Sequence, residues 1–362
     1  MAQDLFRTEA EYMQWLLARS AAGKARERGR GSKRAKGVKL GIGDDAALVA
    51  VKSGEELILT TDMSIEDVHF SHRLHPAESV GHRALARSLS DVAAMGGVPR
   101  YVLVSLAVPR RITRDWVSGF YRGMQALGRR FGVRLVGGDT AIVPNKTFID
   151  VLVAGEIPKG KALLRSGARV GDHIVVSGRL GLSALGLRLL QSKREVSRLR
   201  VEVAAREAVR AHLYPEPQCA LGRFLSRSGM ASALMDLSDG LSTDLSRLCA
   251  ASGVGARLWA TKIPGPDLPE LADSLQLALH GGEDYQLLFT VPQSKAWRLP
   301  SKFRGQPLYH LGEIEASKGI RLVMPDGKVQ TVEPAGWDYF RSNLAKRAHQ
   351  MPVFTALNAL HD

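Results

Sequence analysis

The chain has 362 residues, of which 45% are hydrophobic and 24% charged, and a formal net charge of +14. These values describe a globular protein too long for one small core, so two domains are expected. No stretch of 18 or more apolar residues occurs, which leaves no candidate membrane-spanning helix. Cys219 and Cys249 are too few for a disulfide framework and point to a reducing compartment, the cytoplasm.

In chain order, residues 8–19 form the first expected helix, grouping Tyr12, Trp15, Leu16 and Leu17. The early acids and the lack of an apolar core in the first twenty residues argue against a secretory signal. Residues 19–39 then hold nine Lys or Arg against Glu27, a net of +8 with no aromatic residue. Without rings for base stacking, such a segment reads as a flexible basic loop, able at most to attract polyanions or steer phosphorylated substrates. No specific nucleic acid is expected as a partner. Residues 38–51 read as extended chain broken at GIGDD, and 57–61 (LILTT) as a short buried strand. Residues 76–95 have helical spacing of Val80, Ala84, Leu85, Leu89 and Val92, and 101–108 read as a strand. An amphipathic helix over 114–131 is stopped by Gly132, and strands follow at 133–136 and 148–157. The order β-β-α-β-α-β-β predicts mixed sheets with helices packed on one face.

The texture changes near residue 158. GARVGDHIVVSG reads as a turn and a strand that open a second α/β domain over 158–340, after an N-terminal domain over 1–157. Residues 180–191 and 193–212 read as continuing helix, broken by Pro215 and Pro217. Strands at 233–237 and 256–260 flank a helix at 242–252, and strands at 286–291 and 321–324 close the domain. The extension 341–362 is polar and basic, with one apolar patch at 353–360.

The chemistry lies in six aspartates spread over five short contexts: GIGDDAALV at 41–49, TTDMSIEDVHF at 60–70, LSDVAAMGG at 89–97, LVGGDTA at 135–141 and MDLSDGLSTDL at 235–245. Asp45, Asp62, Asp91, Asp139, Asp236 and Asp239 are each expected near the end of an apolar element. Singly, such an acid is a turn former or a helix cap. Six together, beside Gly or Ser, suit Mg²⁺, which takes oxygen ligands from a few carboxylates and substrate phosphates. GIGDDA also fits a loose dinucleotide fingerprint. However, its two carboxylates would repel a pyrophosphate, and AALVAV reads as strand rather than helix. No P-loop and no nucleophile-elbow motif occurs. His69, His72, His75 and His82 have no spacing that suits a zinc site.

These motifs resemble the thiamine-monophosphate kinase family, of the aminoimidazole-ribotide-synthetase-like ATP-binding superfamily. The resemblance covers roughly residues 5–340 and rests on GIGDDAAL, TTD with VHF, LSD with AAMG, GGDT, RSGA with GD, DLSDGL with DL, GGEDY and the closing GWDYF. It implies an α/β (α+β), two-domain aminoimidazole-ribotide-synthetase-like fold. Residues 1–157 would bind ATP and Mg²⁺ and pair as a homodimer. It implies transfer of the γ-phosphoryl of ATP directly to thiamine phosphate, with several Mg²⁺ ions, ATP as co-substrate and no covalent nucleophile. Carried over position by position, Asp45, Thr60, Thr61, Asp62, Asp91, Asp139, Asp236 and Asp239 would hold metal. Gly138, Asp139, Arg165 and Ser238 would meet ATP, and His69, Glu283 and Trp337 the substrate. Ser88 and Ser64 depart from residues common in the family. The alternative is a non-catalytic nucleotide- or polyanion-binding member of the same superfamily.

Overall fold

The computed structural model describes residues 38–40, 48–49, 51–192, 199–268 and 271–337. The expected helix at 8–19, most of the basic loop 19–39, Asp45 and the extension 341–362 lie outside the described residues.

Two sheets organise the chain. The first has four strands in the order Glu55–Ile65, Phe148–Pro158, Val98–Pro109, Arg134–Val143, and only its last pair is parallel. The helices Ala77–Ala94 and Arg114–Phe131 cover one face of it. The second helix starts where the Thr113 side chain accepts the Trp116 N–H at 3.2 Å, an N-cap, and stops at left-handed Gly132. The second sheet runs in the order Val329–Thr331, Gly319–Val323, Gly255–Trp259, Gln306–Glu315, His173–Ser177, Gln286–Val291, Ala233–Leu237. One side of it packs on Leu241, Leu245 and Leu248 of the helix Leu241–Ser252. The other, through Val175, Leu234, Leu287 and Phe289, joins the core that holds Leu85, Leu89 and Val92.

Ala77–Ala94 is therefore the central helix, with 14 of its 18 residues buried. A helix buried all round has no solvent side on which to place its polar residues. Those it carries, among them Arg83, Ser88, Ser90 and Asp91, must find partners inside the protein.

Several elements depart from the sequence expectation. Residues 57–61 belong to an 11-residue strand, Glu55–Ile65, rather than a short buried one. Its alternate residues are open: Leu57 is 44% exposed, Leu59 62% and Met63 60%, with Phe148 of the neighbouring strand at 43%. The apolar residues mislead here because a strand buries one face only. The strand expected at 133–136 runs on to Val143 and takes Gly137, Gly138 and Asp139 into the sheet. The helices on either side of residue 192 do not run together at the near end, since Ser192 is extended (φ −78°, ψ 129°). The helix Cys219–Ser228 and the strand Gln306–Glu315 are additional elements.

Candidate active site

Period-two alternation divides the candidate metal ligands. In the strand Glu55–Ile65, Thr60 and Asp62 point toward the central helix while Thr61 points to the open face. On the inner side the Thr60 hydroxyl donates to the Asp91 carboxylate. Ser88 Oγ lies 3.2 Å from Asp62 Oδ2, and an Arg87 nitrogen 3.6 Å from Asp62 Oδ1. Ser90 Oγ donates to Asp236 Oδ2 at 2.8 Å, which ties the central helix to the second domain.

These acids crowd one another electrically. Burial, then the charges of Asp236 and Asp62, push Asp91 up to about 7 against the pull of Thr60 and Arg165. Burial likewise pushes Asp236 up to about 7, with Ser90 and Arg165 opposing and Asp244 and Asp62 reinforcing. Arg165 thus stands within electrostatic reach of both, on an exposed segment at the rim. Among the described residues, no three of these carboxylates bring oxygens within 4.8 Å of one another. Hydroxyls and Arg87 hold them instead, so the cage expected from the sequence is spread rather than closed.

The open face carries the other group. Met63, Asp150, Ser105 and Asp139 form one row across the four strands. Thr61 Oγ1 donates to Asp150 Oδ1 at 2.7 Å, and Asp139 accepts the Thr140 N–H at 2.8 Å. Asp150 was not singled out from the sequence; its signal, one acid in the alternating strand FIDVLV, is weak. Gly138, beside Asp139, has φ +152°, and a Cβ there would overlap the Val104 carbonyl oxygen. The glycine lets the two strands close up just after a β-bulge between Val102 and Leu103.

Ser238 and Asp239 sit between the strand Ala233–Leu237 and the helix Leu241–Ser252. The Asp239 N–H donates to Asp244 Oδ2 at 2.9 Å, and Arg247 grips both carboxylates. Burial, then Asp239, push Asp244 up to about 6 although Arg247 opposes them. The Trp337 N–H reaches the Asp239 carbonyl at 3.2 Å, and a Cβ on Gly336 would overlap that same carbonyl. Trp337 is thereby brought beside the DLSDG loop from about a hundred residues away.

The GGEDY segment closes the other side. Glu283 N–H donates to Ser238 O at 2.8 Å and Tyr285 N–H to Leu237 O at 2.9 Å. Glu283 (φ 64°) and Tyr285 (φ 50°) are both left-handed, a conformation that costs side-chain-bearing residues energy and concentrates at functional sites. Between them, Asp284 accepts from the N–H groups of Gly181 at 2.6 Å and Ser183 at 3.1 Å. Glu283 Oε2 pairs with Arg83 at 2.7 Å. Burial works to raise its pKa, but Arg83, His212 and Arg87 together bring it down to about 2. His69 Nδ1 accepts the Ile65 N–H at 3.0 Å, and burial, then Arg87, hold the ring down at about 4, so it is neutral near pH 7. Ser64, His69, Phe70, Val80, Arg83 and Arg87 line a small cleft at this point. Arg83, Arg87, His212, Ser90 and Asp244 all belong to this neighbourhood, and none was picked out from the sequence.

The cysteines take no part: burial pushes the Cys219 and Cys249 thiols up to about 12, so neither is a thiolate near pH 7.

Comparison with known proteins bears on this arrangement. The family of AIR synthase related proteins matches through its N-terminal domain over residues 43–157 and its C-terminal domain over 169–325. The thiamine-monophosphate kinase of Bacillus subtilis is 37% identical over 310 residues, covering 84% of this chain and 94% of that protein. That of Salmonella typhimurium is also 37% identical, covering 84% and 92%. The crystal structure of thiamine-monophosphate kinase from Stenotrophomonas maltophilia superposes with a TM-score of 0.74 at 34% identity, covering 84% of this chain and 95% of that one. AaThiL complexed with AMPPCP and TMP superposes with a TM-score of 0.70 at 30% identity, covering 88% and 95%.

Proposed function

The chain belongs to the AIR synthase related family, and we propose that within it this protein transfers the γ-phosphoryl group of ATP to thiamine phosphate, giving thiamine diphosphate and ADP. It is an ATP-dependent kinase of thiamine diphosphate biosynthesis. The observation that carries this reading is likeness over 84% of the chain to thiamine-monophosphate kinases, both domains included. The acid cluster of Asp62, Asp91 and Asp236 supports catalysis over the binding-only alternative. A protein that merely bound a polyanion would gain nothing from three mutually repelling carboxylates, Asp236 buried and Asp62 and Asp91 half-buried.

Mg²⁺ fits the donors present. All are hard oxygens, and two of them, Asp91 and Asp236, are pushed up to about 7 chiefly by burial. A bound cation would offset that burial and the repulsion between them. Asp62, Asp91 and Asp236, with the Thr60 hydroxyl, would hold it on the inner side. Thr61 and Asp139 would serve the open face, while Asp45 and Asp239 flank the two groups in sequence. Mg²⁺ supplies neutralisation of phosphate charge in a transfer that is otherwise mostly positioning.

The protein's own groups do the rest. Arg165 would grip a phosphate oxygen with its planar fork, with Gly138 and Ser238 as further ATP contacts. His69, neutral near pH 7, can hydrogen-bond a substrate without repelling its cationic ring. Glu283 is not a free anion, because Arg83 already shares its charge; it contributes a fixed dipole as much as a net charge. Trp337 would lay an aromatic face on that ring. No covalent intermediate is needed.

We further propose that residues 1–157 form the ATP-binding and dimerisation domain and 158–340 the second domain. Leu57, Leu59, Met63 and Phe148 make one open apolar face that a second copy of the chain would cover. No helix of the described residues is long and apolar enough to cross a membrane, and the cytoplasm is the proposed location. The direct test is incubation of the purified protein with ATP, Mg²⁺ and thiamine phosphate, with free thiamine in parallel. The expected result is thiamine diphosphate from the phosphate ester alone. Diphosphate from free thiamine, or none from either, contradicts the reading.

A further inference from the structure

We propose that His173, His310 and Glu313, on the second domain, form a binding site for one divalent cation of the zinc class. The three residues come from two paired strands. Glu313 lies directly opposite His173 in the register of Gln306–Glu315 against His173–Ser177. His310 precedes Glu313 by three residues, and in a regular strand such residues face opposite sides. Here the register shifts between His310 and Gly312, and a bulge of this kind re-aims one side chain to the other face. It brings His310 onto the side of Glu313 and His173.

The result is a convergent donor set. The His173 and His310 rings stack with centroids 4.4 Å apart and planes 23° from parallel. One ligand atom from each of His173, His310 and Glu313 lies within 4.8 Å of the other two, the one trio of this kind among the described His, Cys, Asp and Glu residues. His310 Nε2 donates to the Gly312 carbonyl at 2.9 Å, which leaves Nδ1 with the ring's lone pair. A backbone acceptor that fixes the tautomer in this way is the usual outer support of a metal-bound imidazole. Burial, then His173 and Lys262, hold His310 below the ordinary imidazole range.

Donor chemistry selects the ion. Two imidazoles and one carboxylate suit Zn²⁺, with water in the fourth position of a tetrahedron. They do not suit Mg²⁺, which favours oxygen, so this site and the aspartate cluster sort the two ions. Lys262, whose charge acts on His310, lies over the Trp259 ring at 4.3 Å, and the Glu313 carboxylate offsets it. The bound ion would clamp the strand Gln306–Glu315 to the strand His173–Ser177.

The test is equilibrium dialysis of the full chain against low-micromolar Zn²⁺ in a large excess of Mg²⁺, wild type beside the His173→Ala/His310→Ala double variant. The expected result is that the wild type retains about one equivalent of zinc more than the double variant, and that zinc raises the wild-type Tm only. Turnover of thiamine phosphate without zinc stays equal in the two, which shows that the double variant is folded. The exposed Glu313→Gln change alone should weaken zinc binding on the order of tenfold. Equal zinc retention by wild type and double variant, or none by either, overturns the proposal.

Discussion

One face of the central helix carries Arg83, Arg87 and Asp91, each one turn from the next, and its two ends have opposite electrostatic characters. At the Arg83 end the charges are satisfied within the protein. Arg83 pairs with Glu283 at 2.7 Å and also donates to the His212 carbonyl. Burial is outweighed there, and Glu283 lies at about 2. At the Asp91 end negative charge is in excess. Asp91 and Asp236 share Arg165 at a distance and a hydroxyl each, and both are pushed up to about 7. A buried pair that closes on itself builds a scaffold; a buried set of like charges needs a partner from outside. The contrast separates the part of the site that holds shape from the part proposed to take up cation and phosphate.

The largest expected effect comes from the end with excess charge. Asp91→Asn or Asp62→Asn should lower turnover by about 10²-fold or more, as for loss of one electrostatic contact to a transition state. Stability should hold or rise, because a crowded carboxylate has been made neutral. Steady-state kinetics at saturating Mg²⁺, with thermal melts alongside, read both. Near-normal turnover in the two variants would dissolve the contrast.

At the satisfied end the order reverses. Arg83→Met strands the Glu283 carboxylate and should cost about 2 kcal/mol of stability, below the range for a fully buried pair because Glu283 keeps some solvent. Adding Glu283→Gln should recover part of that loss. Denaturant titration of the single and double variants gives the coupling, and simple additivity would mean that the pair does not act as a unit.

A smaller effect follows from pH. The folded pKa values of Asp91 and Asp236, about 7, lie above the ordinary 3.8. Their contribution to stability is therefore full below about pH 3.8 and is lost as pH rises through about 7. His69 and His75, both held down at about 4 mainly by burial, act the other way. Their contribution is present above about pH 6.5 and is lost as pH falls through 4. Between pH 6 and 8 the carboxylates govern, so the metal-free Tm should fall by roughly 2–4 °C for each kcal/mol lost. Mg²⁺ should raise Tm more at pH 8 than at pH 6. An equal shift at both values would contradict the excess of negative charge.

The smallest effect is expected from the basic segment. Replacing 23–36 with a Gly-Ser linker should leave kcat unchanged and lower kcat/KM only slightly. That small loss should shrink above ~0.15 M salt, where screening acts within ~8 Å.

How much of this was legible in the sequence depends on how far each contact reaches. Asp62, Asp91 and Asp236 stand out in TTD, LSD and DLSDG, because each motif is local. That Thr60 and Thr61 face opposite ways follows from strand periodicity alone, once the strand is known to run from Glu55 to Ile65 rather than over 57–61. Leu57 and Leu59 misled because apolar residues on the open face of a strand look the same in sequence as core residues. The strand Gln306–Glu315 escaped notice because PLYHLGEIE does not alternate, and the bulge at His310–Gly312 is the reason. The helix Cys219–Ser228 is short and follows Pro215 and Pro217, which read as loop. The Arg83, His212 and Glu283 network joins residues up to 200 positions apart, and no local pattern announces it.

The most direct test of the account is proton release on metal binding. The protein, without nucleotide and in weak buffer at pH 7, is titrated with MgCl₂ while released protons are followed potentiometrically. Asp91 and Asp236 are partly protonated at that pH and must ionise to take the cation. The account predicts proton release in the wild type that disappears in Asp91→Asn/Asp236→Asn. Mg²⁺ binding without proton release, or the same release from the double variant, would contradict it.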